Sequence, residues 1–334
     1  LSQDGKLFDA SSTLPQLPDF THGSASGDID GDGDIDIFVG NFTSETQPSS
    51  VPYFLVNDGN GVFSQNTSFV PGSLLTDGSI QIGTAELADF DGDGHTDLII
   101  GSHSNSSNRL YLGDGSGNFR DEYFKTLPVQ LLGGVAGNAV WMHSFDLEND
   151  GDLDVAISYY GQPKDWLDPN SYSNRAIQVL ENVGGGEFQD VTGRFPLAIL
   201  NDGHTPAQWF VKVASKDLNG DGYEDLYVSN LNTAGQPAFA ETPVVWITNE
   251  EGGYTVLTQE YFSNQFGNSG YPGPFEFVGS GNDIFSIDYR AEFLRNTIDF
   301  NEIVAPRLGK VFYSAPGNDI LNGGSGFDTA FYSG

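Results

Sequence analysis

The chain contains no cysteine, so neither a disulfide nor a thiolate-bound metal can hold it together. Cationic residues are scarce: 13 Lys and Arg stand against 46 Asp and Glu, a formal charge of -33. Such a balance argues against nucleic acid and anionic membrane surfaces as partners. No apolar run approaches the ~20 residues of a membrane-spanning helix, and Leu1 to Phe20 lacks the apolar core of a signal peptide. An export signal is expected outside this stretch or in another form. There is no His-Glu-x-x-His, phosphate loop, nucleotide fingerprint or nucleophile elbow. His22, His95, His103 and His204 share no metal-ligand spacing.

What is present points to β structure. In 334 residues, 38% of them hydrophobic, 43 glycines and many aromatics are scattered among short apolar runs, the pattern of strands and turns rather than helices. Self-repulsion at this acidity destabilises a compact chain unless cations neutralise it.

Self-similarity supplies the organisation. Four segments align: Asp28-Ile-Asp-Gly-Asp-Gly-Asp-Ile-Asp36, Asp89-Phe-Asp-Gly-Asp-Gly-His-Thr-Asp97, Asp146-Leu-Glu-Asn-Asp-Gly-Asp-Leu-Asp154 and Asp217-Leu-Asn-Gly-Asp-Gly-Tyr-Glu-Asp225. Each runs at once into an apolar stretch, from Ile37, Leu98, Val155 and Leu226, that reads as a buried strand. A second signature follows in each repeat, a strand, a Gly/Asn/Asp turn and an aromatic, at Leu55 to Phe63, Leu110 to Phe119, Val179 to Phe188 and, more loosely, Val245 to Tyr254. These are hairpins whose turn residues tolerate positive φ. Leu1 to Pro15 parallels Leu180 to Pro196, so the chain reads as starting inside the outer hairpin of a repeat. The Gly/Pro/Asn cluster from Phe262 to Gly270 marks a boundary, giving one unit over 1–265 and an extension over 266–334 that in part completes a repeat.

The acidic segments have the chemistry of calcium loops. Ca²⁺ takes six to eight hard oxygens, and carboxylates at positions 1, 3, 5 and 9, with the carbonyl of position 7, converge when the chain curls tightly. Glycine at position 6 (Gly33, Gly94, Gly151, Gly222) permits that curl. The expected side-chain ligands are Asp28, Asp30, Asp32 and Asp36; Asp89, Asp91, Asp93 and Asp97; Asp146, Glu148, Asp150 and Asp154; and Asp217, Asn219, Asp221 and Asp225. Asp34, His95, Asp152 and Tyr223 are expected to contribute their backbone carbonyls. About four Ca²⁺ are expected, with more possible in the C-terminal segment. Glu148 at position 3 and Asn149 in place of glycine make the third site the weakest. Protein oxygens fill the coordination sphere, so the metal is structural rather than catalytic.

The Asp-x-Asp-Gly-Asp-Gly-x-x-Asp loop and its following strand resemble the FG-GAP or VCBS repeat, the blade of integrin-α-like β-propellers, over roughly Phe20 to Tyr254. The resemblance implies an all-β fold, a propeller of four clear blades plus a partial one with calcium loops between strands. Gly317-Asn-Asp-Ile-Leu-Asn-Gly-Gly-Ser-Gly-Phe-Asp-Thr-Ala-Phe331 resembles the start of an RTX array of calcium-binding β-helix turns, with a fainter echo at Gly281 to Phe285. That resemblance implies a secreted or cell-surface protein exported by a type I route.

Propeller geometry directs attention to the strands before each acidic loop. Alternation puts Gly23 and Ala25, Thr84 and Glu86, Trp141 and His143, and Lys212 and Ala214 on one face, which is expected to look into the central funnel. Glu86, Trp141, His143 and Lys212 are therefore candidate ligand-binding residues, joined by Trp166 in a loop with Tyr159, Tyr160 and Tyr172. Asn41, Asn66 and Asn105 lie in glycosylation sequons. The function expected is an extracellular calcium-binding module of a bacterial surface, adhesin or matrix protein, binding carbohydrate or protein through its loops. The alternative is a secreted polysaccharide-degrading enzyme with its site in the funnel.

Overall fold

The computed structural model describes residues 2–3, 6–7, 13–15, 19–42, 51–76, 80–103, 106–119, 124–132, 135–161, 175–196, 198–200, 208–232, 243–248 and 254–258. Beyond these it describes only the strands at 275–278, 283–286, 293–294, 308–314 and 327–332.

Each acidic segment turns the chain from one strand into the next. The first sheet orders Thr21–Gly27, Asp36–Asn41, Tyr53–Asn57 and Phe63–Asn66, and the second Ile82–Ala88, Asp97–Ser102, Arg109–Tyr111 and Lys125–Thr126. Asn138–Phe145, Asp154–Tyr160, Arg175–Asn182 and Phe188–Asp190 form the third, where the short strand Ile199–Leu200 also pairs with Arg175–Asn182. Gln208–Lys216, Asp225–Asn232, Pro243–Thr248 and Tyr254–Thr258 form the fourth. All are antiparallel meanders, which short turns can connect. The first strands of successive sheets pack on one another in chain order. This is an all-β arrangement of four blade-like sheets in sequence.

The alternation of each second strand decides which neighbour it meets. Phe38 and Phe54 of the first sheet share a core with Leu98, Ile100 and Tyr111 of the second. Ile99 and Leu110, on the opposite face, join Val155, Ile157 and Leu180 of the third. Ala156, Ile177 and Val179 then meet Leu226, Val228 and Trp246 of the fourth. A sheet buried on both faces needs apolar residues at odd and even positions alike, which is why the runs after each acidic loop read as continuously hydrophobic.

All four first strands carry a β-bulge near their start, at Thr21/Gly23, Ile82/Thr84, Ala139/Trp141 and Phe210/Lys212. There the sheets approach closely. A Cβ on Gly83 would lie 2.3 Å from the Ala139 carbonyl oxygen, so only glycine fits that contact.

Two expectations are corrected. Tyr159 is not a loop aromatic: it is buried in Asp154–Tyr160, where its hydroxyl donates to Gln178 at 2.8 Å and accepts from Asn108 at 2.6 Å. Asn41 is a buried strand residue, bonded to Thr21 at 2.8 Å and to the Val51 carbonyl at 3.0 Å, and does not present an open sequon. Trp166, Tyr172, Asn105, the boundary at 262–270 and residues 317–326 of the RTX-type motif lie outside the described residues.

Candidate metal centre

The first Asp of each loop organises the curl. Asp28 accepts the N–H of Gly31 at 2.8 Å and of Gly33 at 3.0 Å; Asp89 accepts those of Gly92 and Gly94, each at 2.8 Å. Asp146 accepts Asp150 and Gly151, both at 3.0 Å, and Asp217 accepts Gly220 at 2.6 Å and Gly222 at 3.0 Å. The position-6 glycines hold φ between 86° and 94°. Asn149 adopts the same left-handed region, φ 58°, as the glycines at position 4 of the other loops, a conformation asparagine tolerates better than other side chains. The third loop therefore keeps the curl.

The ninth residue does a different job. Asp36 accepts the N–H of Ile29 at 3.3 Å within its loop and that of Asn57 at 2.8 Å in the third strand. Asp97 bridges Phe90 and Gly113, Asp154 bridges Leu147 and Asn182, and Asp225 bridges Leu218 and Thr248, with distances of 2.6 to 2.9 Å. All four are buried. Burial pushes their carboxyls upward, to about 6 at Asp97 and Asp154 and about 7 at Asp225, against the opposing pull of the N–H donors. A cation beside them would favour the ionised form.

In two loops the carboxylates meet. One oxygen each from Asp28, Asp30 and Asp36, and one each from Asp89, Asp91 and Asp97, lie within 4.8 Å of one another. Asp30 Oδ1 is buried with no hydrogen-bond partner among the described residues, a vacancy in bonding that a cation satisfies. The donors are hard oxygens only, which suits Ca²⁺ or Mg²⁺ rather than a soft metal. These residues fit a divalent cation.

The other expected ligands are placed as follows. Asp32 and Asp93, at position 5, accept the N–H groups of Asp34 at 2.9 Å and His95 at 3.0 Å. The side chains of Asp34 and His95 pack over Gly59 and Gly115 of the neighbouring hairpins, leaving their carbonyls as the groups available to the loop. Asp150 and Asp221 likewise accept the N–H groups of Asp152 at 3.1 Å and Tyr223 at 2.9 Å. Glu148 departs: its carboxylate meets Arg194 at 3.2 Å, and Arg194 also meets Glu181 at 2.7 Å. Asn219 Nδ2 donates to Asp221 at 2.9 Å.

The loops also tie sheets together, which the sequence did not reveal. Thr96 Oγ1, next to Asp97, donates to the Asp28 carbonyl at 2.6 Å, and Gly117 N–H donates to the Ile29 carbonyl at 3.0 Å. Asn182 Nδ2 of the third sheet donates to the Phe90 carbonyl of the second loop at 2.8 Å.

The inner-strand candidates divide. Glu86, largely buried, accepts from Ser144 of the next sheet at 2.9 Å, and burial raises its carboxyl. His143 Nε2 contacts Ser215 Oγ at 2.9 Å, and that hydroxyl donates to Glu224 at 2.6 Å. Both side chains thus contact the first strand of the next sheet. Trp141 is 40% exposed, with Lys212 Nζ 5.4 Å from its ring centroid.

The FG-GAP-like repeat family matches residues 28–100 and again 89–157. No curated protein matches the sequence. Among solved structures, the chain is similar to the V. cholerae biofilm matrix protein Bap1, at 17% identity and TM-score 0.35, covering 71% of this chain and 30% of that one. It is similar to the Dos1 propeller at 12% identity and TM-score 0.37, over 84% of this chain and 60% of the other. Similarity to the Bombyx mori GH32 β-fructofuranosidase BmSUC1 is 16% at TM-score 0.34, over 82% of this chain and 52% of the enzyme. The chain thus spans less than two thirds of each. Residues 28–157 thus match FG-GAP-like repeats, within four blade-like sheets in sequence, two of whose Asp-rich loops gather carboxylates that could hold a metal ion.

Proposed function

We propose that this chain is a calcium-stabilised β-propeller module of an extracellular surface, adhesin or matrix protein, presenting loops to carbohydrate or protein. The observation that carries this reading is the double use of the acidic loops. The same nine residues gather carboxylates and hold the next sheet through Thr96, Gly117 and Asn182. Calcium, supplied as hard Lewis acid and counter-charge, would then set the spacing of the blades that carry the loops. Asp28, Asp30 and Asp36, and Asp89, Asp91 and Asp97, would hold two ions, with Asp217, Asn219, Asp221 and Asp225 a third. The third loop is the weakest site, because Arg194, shared with Glu181, holds the Glu148 carboxylate at 3.2 Å. Extracellular calcium modules work at millimolar affinity, which suits a protein outside the cell. Export by a type I route and calcium at the RTX-type motif rest on the residues at 317–331.

The second reading, a polysaccharide-degrading enzyme, is favoured by one observation, the part-buried Glu86 carboxyl, whose pKa desolvation raises. Against it, Glu86 and His143 are engaged by serines of the adjacent sheets, and Ser215 donates its proton to Glu224 rather than to His143. Incubation with a polysaccharide panel tests the choice: calcium-dependent binding without depolymerisation supports the module, and depolymerisation lost in Glu86→Gln establishes the enzyme.

A further inference from the structure

At the end of the blades opposite the acidic loops, where first strands begin and second strands end, five rings from three sheets converge. His22 is the bulge residue of the first sheet and lies parallel on Phe42, with centroids 3.8 Å apart and planes 2° from coplanar. Phe20 meets His22 edge-on at 4.7 Å and Phe42 at 5.9 Å. His103 of the second sheet tilts against Phe42 at 4.9 Å, and Tyr160 of the third bonds its hydroxyl to His103 Nε2. Phe42 is buried beneath, whereas Phe20 is 45% exposed and His22 is exposed. A single exposed phenylalanine is ordinary. Here an exposed ring and an exposed imidazole stand on a buried aromatic support that fixes both.

We propose that Phe20 and His22, backed by Phe42, His103 and Tyr160, form a binding platform for a neutral saccharide. Three features select that chemistry. The ring faces offer apolar area to the C–H face of a pyranose, and the exposed His22 imidazole beside them offers a donor and an acceptor to its hydroxyls. A chain of charge -33 repels an anionic ligand. None of the five residues is a carboxylate that would pair with a cationic one. Burial lowers the pKa of both His22 and His103, the latter to about 4, which disfavours a charged imidazolium in the cluster. The site is distinct from Trp141, whose ring lies 5.4 Å from Lys212 Nζ of the fourth sheet.

The inference rests on the binding-module reading and names its ligand class. The calcium-loaded protein is screened on an array of neutral, cationic and anionic oligosaccharides, and the strongest neutral hit is titrated calorimetrically into wild type, Phe20→Ser, His22→Gln and Trp141→Ala. The expected result is a loss of about tenfold in affinity for Phe20→Ser, the size of one aromatic stacking contact. His22→Gln should weaken binding in the same direction and Trp141→Ala should match wild type, all with unchanged melting temperature. Failure of wild type to bind any neutral saccharide overturns the proposal, as does wild-type affinity in both Phe20→Ser and His22→Gln. Loss confined to Trp141→Ala overturns the platform and leaves the module reading standing. Turnover of the bound saccharide overturns the module reading itself.

Discussion

Thr96 and Asp28 are joined across two sheets: the threonine hydroxyl donates to the aspartate's backbone carbonyl at 2.6 Å. Asp28 opens the first acidic loop and Thr96 immediately precedes Asp97, the buried carboxylate of the second. The bond gives the second loop a direct hold on the first. Thr96→Val keeps the shape and removes the donor, at a cost of about 1 kcal/mol. It is expected to lower the melting temperature and to weaken calcium binding in the first and second loops together, read by calorimetric titration. Wild-type affinities in both loops would refute the link.

Asp36→Ala should destabilise far more than Glu148→Ala. The first change strips an acceptor from the N–H groups of Ile29 and Asn57, a loss of roughly 1–3 kcal/mol before any metal is considered. Glu148 pairs with a half-exposed Arg194, and such pairs contribute about 0–1 kcal/mol. Urea unfolding in excess EGTA isolates the hydrogen-bond contribution, and repetition in calcium adds the metal. Equal midpoints for the two variants under both conditions would contradict this ranking.

The acidic repeats were legible because the loop is local: nine consecutive residues contain the curl, the carboxylates and the permissive glycines. The strands after them were legible from their apolar runs. The facing of Glu86 and His143 was not, since alternation along Ile82–Ala88 and Asn138–Phe145 defines two faces without saying which one the next sheet covers. The bridging role of Asp36, Asp97, Asp154 and Asp225 also escaped the sequence, because the partners in or just after the third strands lie 16 to 28 residues away. His22 carried no motif. Its exposure follows from a bulge whose position only strand pairing reveals.

Acid should unfold the protein partly through its histidines. Burial depresses the pKa of His143 to about 4, with the Lys212 charge adding to the effect, and that of His103 to about 4, with His22 adding to it. Both are neutral when folded and take up protons more readily when unfolded. Their contribution to stability is complete above the unfolded value near 6.5 and is lost as pH falls from there through 4. His143→Gln should therefore show a shallower decline of melting temperature between pH 7 and pH 4 than wild type. Parallel profiles would show that His143 does not contribute.

Calcium dependence of the fold is the most direct test. Metal bound only to the folded state adds ~2.7 kcal/mol per site at a hundredfold excess over Kd, so thermal unfolding of metal-free protein should shift upward as Ca²⁺ is titrated in. The shift should be reversed by EGTA and reduced in the Asp30→Asn and Asp91→Asn variants. A melting temperature identical with and without Ca²⁺, in protein verified to be metal-free at the start, would contradict the account.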